Sequence, residues 1–134
     1  MNFFDQIIIF VKNIFLMRKP PVHKSFFNAL RGIFLMVKTE RNFQIELAAF
    51  FINLFLIFYL QLSAPDALFI LLVCFAVLSS EIINTAIERL CDMVQPDFDK
   101  RIGFIKDIAA GAVLLMSILA VITGIIIYSK YLFQ

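Results

Sequence analysis

Three long, almost wholly apolar segments constrain the fold of this chain more than any other feature. A helix needs roughly 20 residues to cross a hydrocarbon core of about 30 Å, and the three segments cover about residues 43–62, 67–90 and 108–128. With 62% hydrophobic and only 16% charged residues, the chain is too apolar for a soluble single domain. The sequence therefore predicts a small all-α integral membrane protein with three transmembrane helices.

Two amphipathic segments precede the first span. In residues 1–17 the basic residues follow the apolar run, so we interpret this segment as a retained helix in the membrane interface and not as a signal peptide. A short fourth span is the alternative. Residues 25–41, with Ser25 as the expected N-cap, are predicted to form a second surface helix. We accordingly divide the chain into an extension, 1–22, and a single membrane domain, 23–134.

The distribution of basic residues predicts the orientation. No Lys or Arg occurs between Asn42 and Glu88, whereas basic residues are frequent before the first span and in the second link. The positive-inside rule therefore places the N-terminus and the link at 93–105 inside, and the turn at Pro65 and Asp66 outside. The C-terminus is then expected outside.

Polar residues form a stripe at the end of the second apolar segment. Five of them recur at helical spacing and fall within roughly a 100° arc: Glu81, Asn84, Thr85, Glu88 and Asp92. Ionisable groups at membrane depth are costly and usually functional. Glu81 is expected to lie in the apolar core, where a poorly solvated carboxylate is a stronger base than in water, whereas Asp92 is expected to reach water.

Other charged residues are predicted at the same level of the membrane. Glu40 and Glu88 together could hold Mg²⁺, which takes one or two carboxylates with phosphate and water oxygens. Lys106 and Asp107 either open the third helix as a snorkelling lysine and a cap, or stabilise phosphoryl transfer. Glu46 either contacts lipid headgroups or pairs with a polar residue of another helix.

Several familiar catalytic devices are missing from the sequence. It contains no Walker loop, no His-Arg-Asp catalytic loop and no dinucleotide-binding glycine fingerprint. His23 is the only histidine, which argues against a zinc site or a histidine-based triad. Chemistry on a nucleotide would therefore need a different fold, and we expect no nucleic-acid partner.

Taken together, these residues resemble the prokaryotic diacylglycerol kinase family, which includes undecaprenol kinases. The resemblance covers about residues 24–128, and its core is two segments: 81–88 (Glu-Ile-Ile-Asn-Thr-Ala-Ile-Glu) with Asp92, and 106–114 (Lys-Asp-Ile-Ala-Ala-Gly-Ala-Val-Leu). The family implies a homotrimer in the bacterial cytoplasmic membrane, with active sites shared between subunits. It also implies transfer of phosphate from MgATP to a membrane lipid alcohol.

The resemblance also implies roles for individual residues. Glu81 corresponds to the catalytic base, and Glu40 and Glu88 to the metal ligands. The expected ATP contacts are Gly32, Glu40, Asn84, Glu88, Asp92, Lys106 and Asp107, and the expected lipid contacts are Glu46, Glu81 and Ala110. The chain departs from many relatives at residues 44–46, where it has Gln-Ile-Glu in place of Arg-Ile-His, and at Asp99, where many have histidine. These departures affect the expected nucleotide contacts of residues 97–99.

The sequence leaves open the identity of the lipid and two other functions. The sequence does not separate undecaprenol from diacylglycerol as the lipid. The same buried acids would also suit an intramembrane proton or cation pathway, or a small membrane scaffold in which the stripe only specifies helix association.

Overall fold

The computed structural model describes residues 21–133. Within this range it contains no strand and four helices in chain order: α1 Val22–Thr39, α2 Arg41–Tyr59, α3 Ala64–Val94 and α4 Lys100–Leu132. The last three are long and apolar enough to cross a membrane, so the predicted all-α architecture with three spans is confirmed. The surface helix predicted for residues 1–17 lies outside the described residues.

The described residues belong to two compact units, and the boundary lies inside α1, between Phe34 and Leu35. The first unit is helical from Val22 onward and exposes large apolar side chains such as Phe26 and Phe27. The second unit contains the end of α1 and the three spans. The predicted division at residue 22 stays a prediction.

The helix ends differ from the predicted limits of the spans. The first span ends at Tyr59 and not at residue 62, and α3 and α4 contain 31 and 33 residues. At 1.5 Å per residue each of the latter two is about 46–50 Å long, well beyond the hydrocarbon core. The inner link predicted at 93–105 therefore shrinks to residues 95–99. The predicted limits follow hydropathy, which marks where the apolar core of the membrane ends. The helices α3 and α4 continue beyond that point through charged residues.

Two predicted signals for helix ends, at Ser25 and at Pro65, were wrong. Ser25 does not cap α1, because the helix begins three residues earlier and the Pro21 carbonyl accepts the amide hydrogen of Ser25. Pro65 lies in the first turn of α3, after the N-cap Ser63, and not in the outer turn. Proline is well tolerated at a helix start because the amide hydrogen that it lacks would be unpaired there.

The start of α4 is also earlier than predicted. Asp99 is its N-cap and accepts the amide hydrogen of Arg101 at 2.8 Å, so Asp107 lies inside the helix and does not cap it. The side chain of Arg101 forms an ion pair with Asp99 as well. These contacts hold the pKa of the Asp99 carboxyl below its usual range, with the Arg101 side chain contributing most.

α3 is the central helix and packs against α4 and, less extensively, against α2. Near the stripe, the buried Phe43 of α2 contacts Met36 and Leu78. At the opposite end, Ile57, Ile70 and Ile127 form a second cluster. The two clusters fix α2 against α3 at both ends, and the polar stripe begins one helical turn beyond Leu78 of the first cluster.

Polar contacts secure the far end of the helices. Tyr131 donates to Asp66 at 2.7 Å, and the Ser63 amide donates to the Tyr131 hydroxyl at 2.9 Å. Deeper between the helices, Tyr128 of α4 donates to Asn53 of α2 at 2.7 Å. These bonds tie α4 to α2 and to the start of α3, at the end away from the stripe.

The outer faces of the spans are apolar and exposed. Phe55 of α2 is 63% exposed and Leu115 of α4 is 68% exposed. Apolar faces of this extent are stable against lipid or against another protein chain, but not in water. They agree with the assignment of a membrane protein.

Candidate active site

The predicted stripe lies on one face of α3 and is buried where the sequence predicts it. Glu81 is 4% exposed, Asn84 6% and Thr85 8%, whereas Glu88 is half-buried and Asp92 is exposed. The gradient confirms the predicted order, from a buried carboxyl to one that reaches water. Since α3 has no interruption between Pro65 and Val94, these side chains keep strict helical register.

One helical turn links two members of the stripe. The Asn84 side-chain amide donates to Glu88 Oε1 at 3.1 Å, which fixes the orientation of both groups. Asn84 Oδ1 is buried and accepts no hydrogen bond in the structure. A buried acceptor without a donor is costly, and it is an oxygen of the kind that hard cations and hydrogen-bond donors on a substrate both satisfy.

Glu40 reaches the stripe because the helical backbone is interrupted at this residue, between α1 and α2. Its backbone is extended, with φ −107° and ψ 112°, and it precedes the first turn of α2. Arg89 of α3 donates from Nη2 to Glu40 Oε1 at 2.6 Å, joining residues that are 49 positions apart. This guanidinium holds the pKa of the Glu40 carboxyl below its usual range, against the opposing effect of desolvation.

The carboxyl of Glu81 lies among the other acids of the site. Asn42 at the start of α2 is its hydrogen-bonding partner, and Glu40 and Glu88 both interact with it electrostatically. Glu46, one helical turn further along α2 than Asn42, is a fourth carboxyl that interacts with Glu81. The structure thus brings together four acids, which we call the acidic cluster: Glu81 and Glu88 of α3, Glu46 of α2, and Glu40 directly before α2.

α4 contributes a cation to the same end of the bundle. Lys106 donates from Nζ to Asp92 Oδ1 at 2.5 Å, across the short link, and it also interacts with Glu88. This position beside the acids is the one that a role in phosphoryl transfer requires, whereas a lysine that only snorkels to the membrane surface needs no acidic neighbours. Asp107 and Ala110 lie on an exposed part of α4 and do not join this cluster within one chain. Gly32 belongs to the first unit, and a Cβ added there would meet nothing within 4 Å.

The donor set suits a magnesium ion that is shared with a nucleotide. Among the described residues, no three acidic, histidine or cysteine side chains converge to form a metal site by themselves. Mg²⁺ does not require this, because it is commonly held by one or two carboxylates while phosphate and water oxygens complete its coordination. Glu40 and Glu88, with the unsatisfied amide oxygen of Asn84 nearby, fit that requirement.

Two cavities flank the cluster. One, of about 390 Å³, runs between the three spans and is mainly apolar, with Glu46 and Asn53 among its lining residues. Glu46 Oε2 is buried and lacks a hydrogen-bond partner. The other, of about 380 Å³, is formed by Asp92, Lys106 and the link, including residues 97–99. Neither lining includes Glu40, Glu81 or Glu88, but along α3 Glu81 and Glu88 lie between Val77, which lines the apolar cavity, and Asp92, which lines the polar one.

Sequence reasoning missed the partners of the acids. Neither Arg89 nor Asn42 is among the site residues predicted from the sequence. The usable signal for Arg89 was its place directly after Glu88, as the first Lys or Arg after residues 42–88, which contain neither. Its contact with Glu40 could not be read from sequence, because the contact depends on how α2 packs on α3.

Comparison with known proteins identifies the family. The sequence model described as prokaryotic diacylglycerol kinase matches residues 27–128, which is most of the chain. The chain belongs to the prokaryotic diacylglycerol kinase family. This confirms the predicted family and, with it, the predicted class of lipid kinase.

Two relatives within or near this family have descriptive names. The chain is 37% identical over 105 residues to the undecaprenol kinase of Bacillus subtilis, covering 78% of this chain and 85% of that protein. It is 34% identical over 106 residues to the diacylglycerol kinase of Synechocystis sp., covering 78% of this chain and 61% of that protein. The residues of this chain that the family model matches, 27–128, include all four acids of the cluster.

Proposed function

We propose that this protein transfers the γ-phosphate of MgATP to the hydroxyl of a membrane lipid alcohol. The observation that carries the proposal is the buried Glu81, held beside Glu40 and Glu88 on the part of α3 that runs from the apolar cavity to the polar one. Such a site joins a lipid hydroxyl, arriving from the membrane, to a water-soluble phosphate donor.

Glu81 acts as the general base. Its carboxylate accepts the proton of the lipid hydroxyl as the lipid oxygen forms a bond to the γ-phosphorus, while the bond from that phosphorus to the ADP oxygen breaks. Little water reaches a side chain that is 4% exposed, so the carboxylate meets the lipid hydroxyl without competition from solvent. The products are the lipid phosphate and ADP.

Glu40 and Glu88 would hold the magnesium ion, and Asn84 fixes the orientation of Glu88. Mg²⁺ bound with ATP neutralises charge that develops on the phosphate oxygens. Lys106 supplies a further positive charge beside Glu88 and Asp92. ATP therefore binds at the water-facing end, with the residues of the polar cavity as further contacts.

The lipid lies in the apolar cavity. Glu46, with its unpaired and buried Oε2, is placed to accept a hydrogen bond from a polar group near the lipid hydroxyl. We place undecaprenol ahead of diacylglycerol, because the undecaprenol kinase relative is matched over 85% of its length and the diacylglycerol kinase relative over 61%. Diacylglycerol remains the second candidate.

The working form is a homotrimer with active sites shared between subunits. Asp107 and Ala110 support this proposal, since both are on exposed parts of α4 in the single chain although the family resemblance assigns them to nucleotide and lipid. Exposed apolar faces such as that of Leu115 provide the area for association. The trimer lies in the bacterial cytoplasmic membrane with its N-termini inside and C-termini outside.

One assay panel tests the function and the lipid together. Purified full-length protein in mixed micelles is offered undecaprenol and diacylglycerol side by side, with labelled ATP and Mg²⁺, and the lipid products are separated. Faster labelling of undecaprenol is expected. Labelling of diacylglycerol alone would reverse the order of the lipids, and labelling of neither would remove the kinase proposal.

The two alternative functions have their own tests. An ion pathway predicts proton or cation flux in liposomes without ATP consumption. A scaffold predicts stable association without any binding of ATP or Mg²⁺. Neither alternative explains why Lys106 and the polar cavity lie next to the acids.

A further inference from the structure

Arg89 forms the contact that links the two expected metal ligands. It directly follows Glu88 on α3, and its Nη2 donates to Glu40 Oε1 at 2.6 Å. The Arg89 side chain is 67% exposed, whereas that of Glu40 is 23% exposed. The contact therefore joins a largely solvated cation to a carboxylate that is mostly covered.

Among the described residues, two side chains donate hydrogen bonds to the Glu40 carboxylate, and both donate to Oε1. Besides Arg89, the Thr39 hydroxyl donates to the same Oε1 at 3.0 Å. That hydroxyl has a single hydrogen and also donates to the Leu35 carbonyl at 3.1 Å, so it is only a shared partner. Arg89 is thus the principal donor, and its contact turns Oε1 toward α3 and leaves Oε2 for another ligand.

Glu40 has little else to fix its orientation. It lies in extended backbone between two helices, and its side chain makes no capping hydrogen bond to the first turn of α2. Glu88, in contrast, is held by Asn84 from within its own helix. The orientation of Glu40 therefore depends on a contact made across the fold.

We propose that Arg89 is a positioning residue of the metal site, which holds Oε1 of Glu40 so that Oε2 is presented to the divalent cation together with Glu88. The inference rests on the proposed function, in which these two carboxylates bind the ion. The family match and the names of the relatives assign no role to Arg89. Residues that orient metal ligands commonly change metal affinity by about 10- to 100-fold when removed.

Arginine suits this role better than lysine. Its guanidinium is planar and always charged, and it offers several donors in a fixed fork. Arg89 also interacts electrostatically with Glu88 and Asp92, so it limits the mutual repulsion of the acids. Exposed ion pairs add little to folding stability, so loss of Arg89 should appear in metal binding and not in stability.

The test measures metal binding directly on the full-length protein in detergent micelles. Mn²⁺ replaces Mg²⁺, a non-hydrolysable ATP analogue is present, and free Mn²⁺ is followed by its electron paramagnetic resonance signal. Arg89→Gln is expected to weaken Mn²⁺ binding about 10- to 100-fold. In parallel, the Mg²⁺ concentration for half-maximal lipid phosphorylation rises similarly, while kcat at saturating Mg²⁺ changes less than about threefold.

Matched variants make the result specific. Lys100→Gln removes an exposed positive charge at the same end of the bundle and should leave Mn²⁺ binding unchanged. Arg89→Lys should restore part of the affinity, because it keeps the charge but not the fork. In a Glu40→Ala background, Arg89→Gln should cause no further loss, since the two residues act through one carboxylate.

The outcomes separate the inference from the proposed function. If Glu40→Ala loses Mn²⁺ binding but both Arg89 variants bind normally, the role of Arg89 is overturned and the metal site stands. Tighter binding by Arg89→Gln would also overturn it, because Arg89 would then compete with the metal for Glu40. If Glu40→Ala binds Mn²⁺ normally, the proposed metal site itself fails.

Discussion

Replacing Glu81 with glutamine removes a proton acceptor while nearly preserving the size of the side chain. Glu81 is 4% exposed, and its partner Asn42 can hydrogen-bond to an amide as well as to a carboxylate. The variant should therefore fold and insert normally. It tests whether the stripe has a chemical role or only a structural one.

The magnitude follows from the burial of the site. General-base catalysis contributes about 10²- to 10⁴-fold in rate. Water can partly replace a base that is exposed, but the surroundings of Glu81 leave almost no access for water. We therefore expect kcat to fall by about 10³- to 10⁴-fold, equivalent to about 4–5.5 kcal/mol at about 1.36 kcal/mol per tenfold.

The assay is phosphorylation of the lipid alcohol in mixed micelles, with Mn²⁺–nucleotide binding measured on the same preparation. Glu81→Gln should keep nucleotide binding, because Glu40 and Glu88 remain. Glu46→Gln is the matched comparison, since it neutralises the neighbouring acid and should mainly raise KM for the lipid. If Glu81→Gln keeps more than about a tenth of the wild-type kcat, the assignment of Glu81 as the base is refuted.

Three further predictions concern the scaffold. Phe43 is 2% exposed, so Phe43→Ala leaves a cavity in the cluster beside the site. The variant should lose about 3–5 kcal/mol of unfolding free energy in a denaturant titration. A loss below about 1 kcal/mol would argue against tight packing there. Tyr128→Phe removes the bond to Asn53, and a double-mutant cycle should give a coupling of about 0.6–1.7 kcal/mol, whereas zero coupling would mean that the bond contributes nothing. The pKa of Asp99 is lowered by Arg101, so the cap of α4 is fully present above the ordinary aspartate pKa and is lost as pH falls through the lowered value. The protection of amides in the first turn of α4, which is the exchange rate relative to the intrinsic rate at the same pH, should fall across that window in the wild type and not in Asp99→Ala, and equal pH dependence of the protection in both would contradict the cap.

The sequence by itself determined the membrane class, the number of spans and the order of burial along the stripe. These properties are local, because hydropathy depends on neighbouring residues and the stripe follows from helical periodicity alone. Glu81 could therefore be placed in the apolar interior, and Asp92 in water, before any packing was known.

The ends of the helices were less predictable for a physical reason. Charged residues at 100–107 end a hydrophobic segment but not a helix, because backbone hydrogen bonds continue beyond the bilayer. Pro65 was assigned to a turn although it can equally start a helix. The choice depends on where the preceding cap lies, here Ser63, and hydropathy carries no information on that.

Only the tertiary structure decided which charges meet. The contact of Glu40 with Arg89 joins residues 49 positions apart, and that of Lys106 with Asp92 crosses the link between two helices. Such pairs depend on the rotation of each helix about its axis, which is set by packing at positions such as Phe43 and Leu78. The sequence determined which acids the site has, and the packing of α2 and α4 on α3 decided how each acid is held.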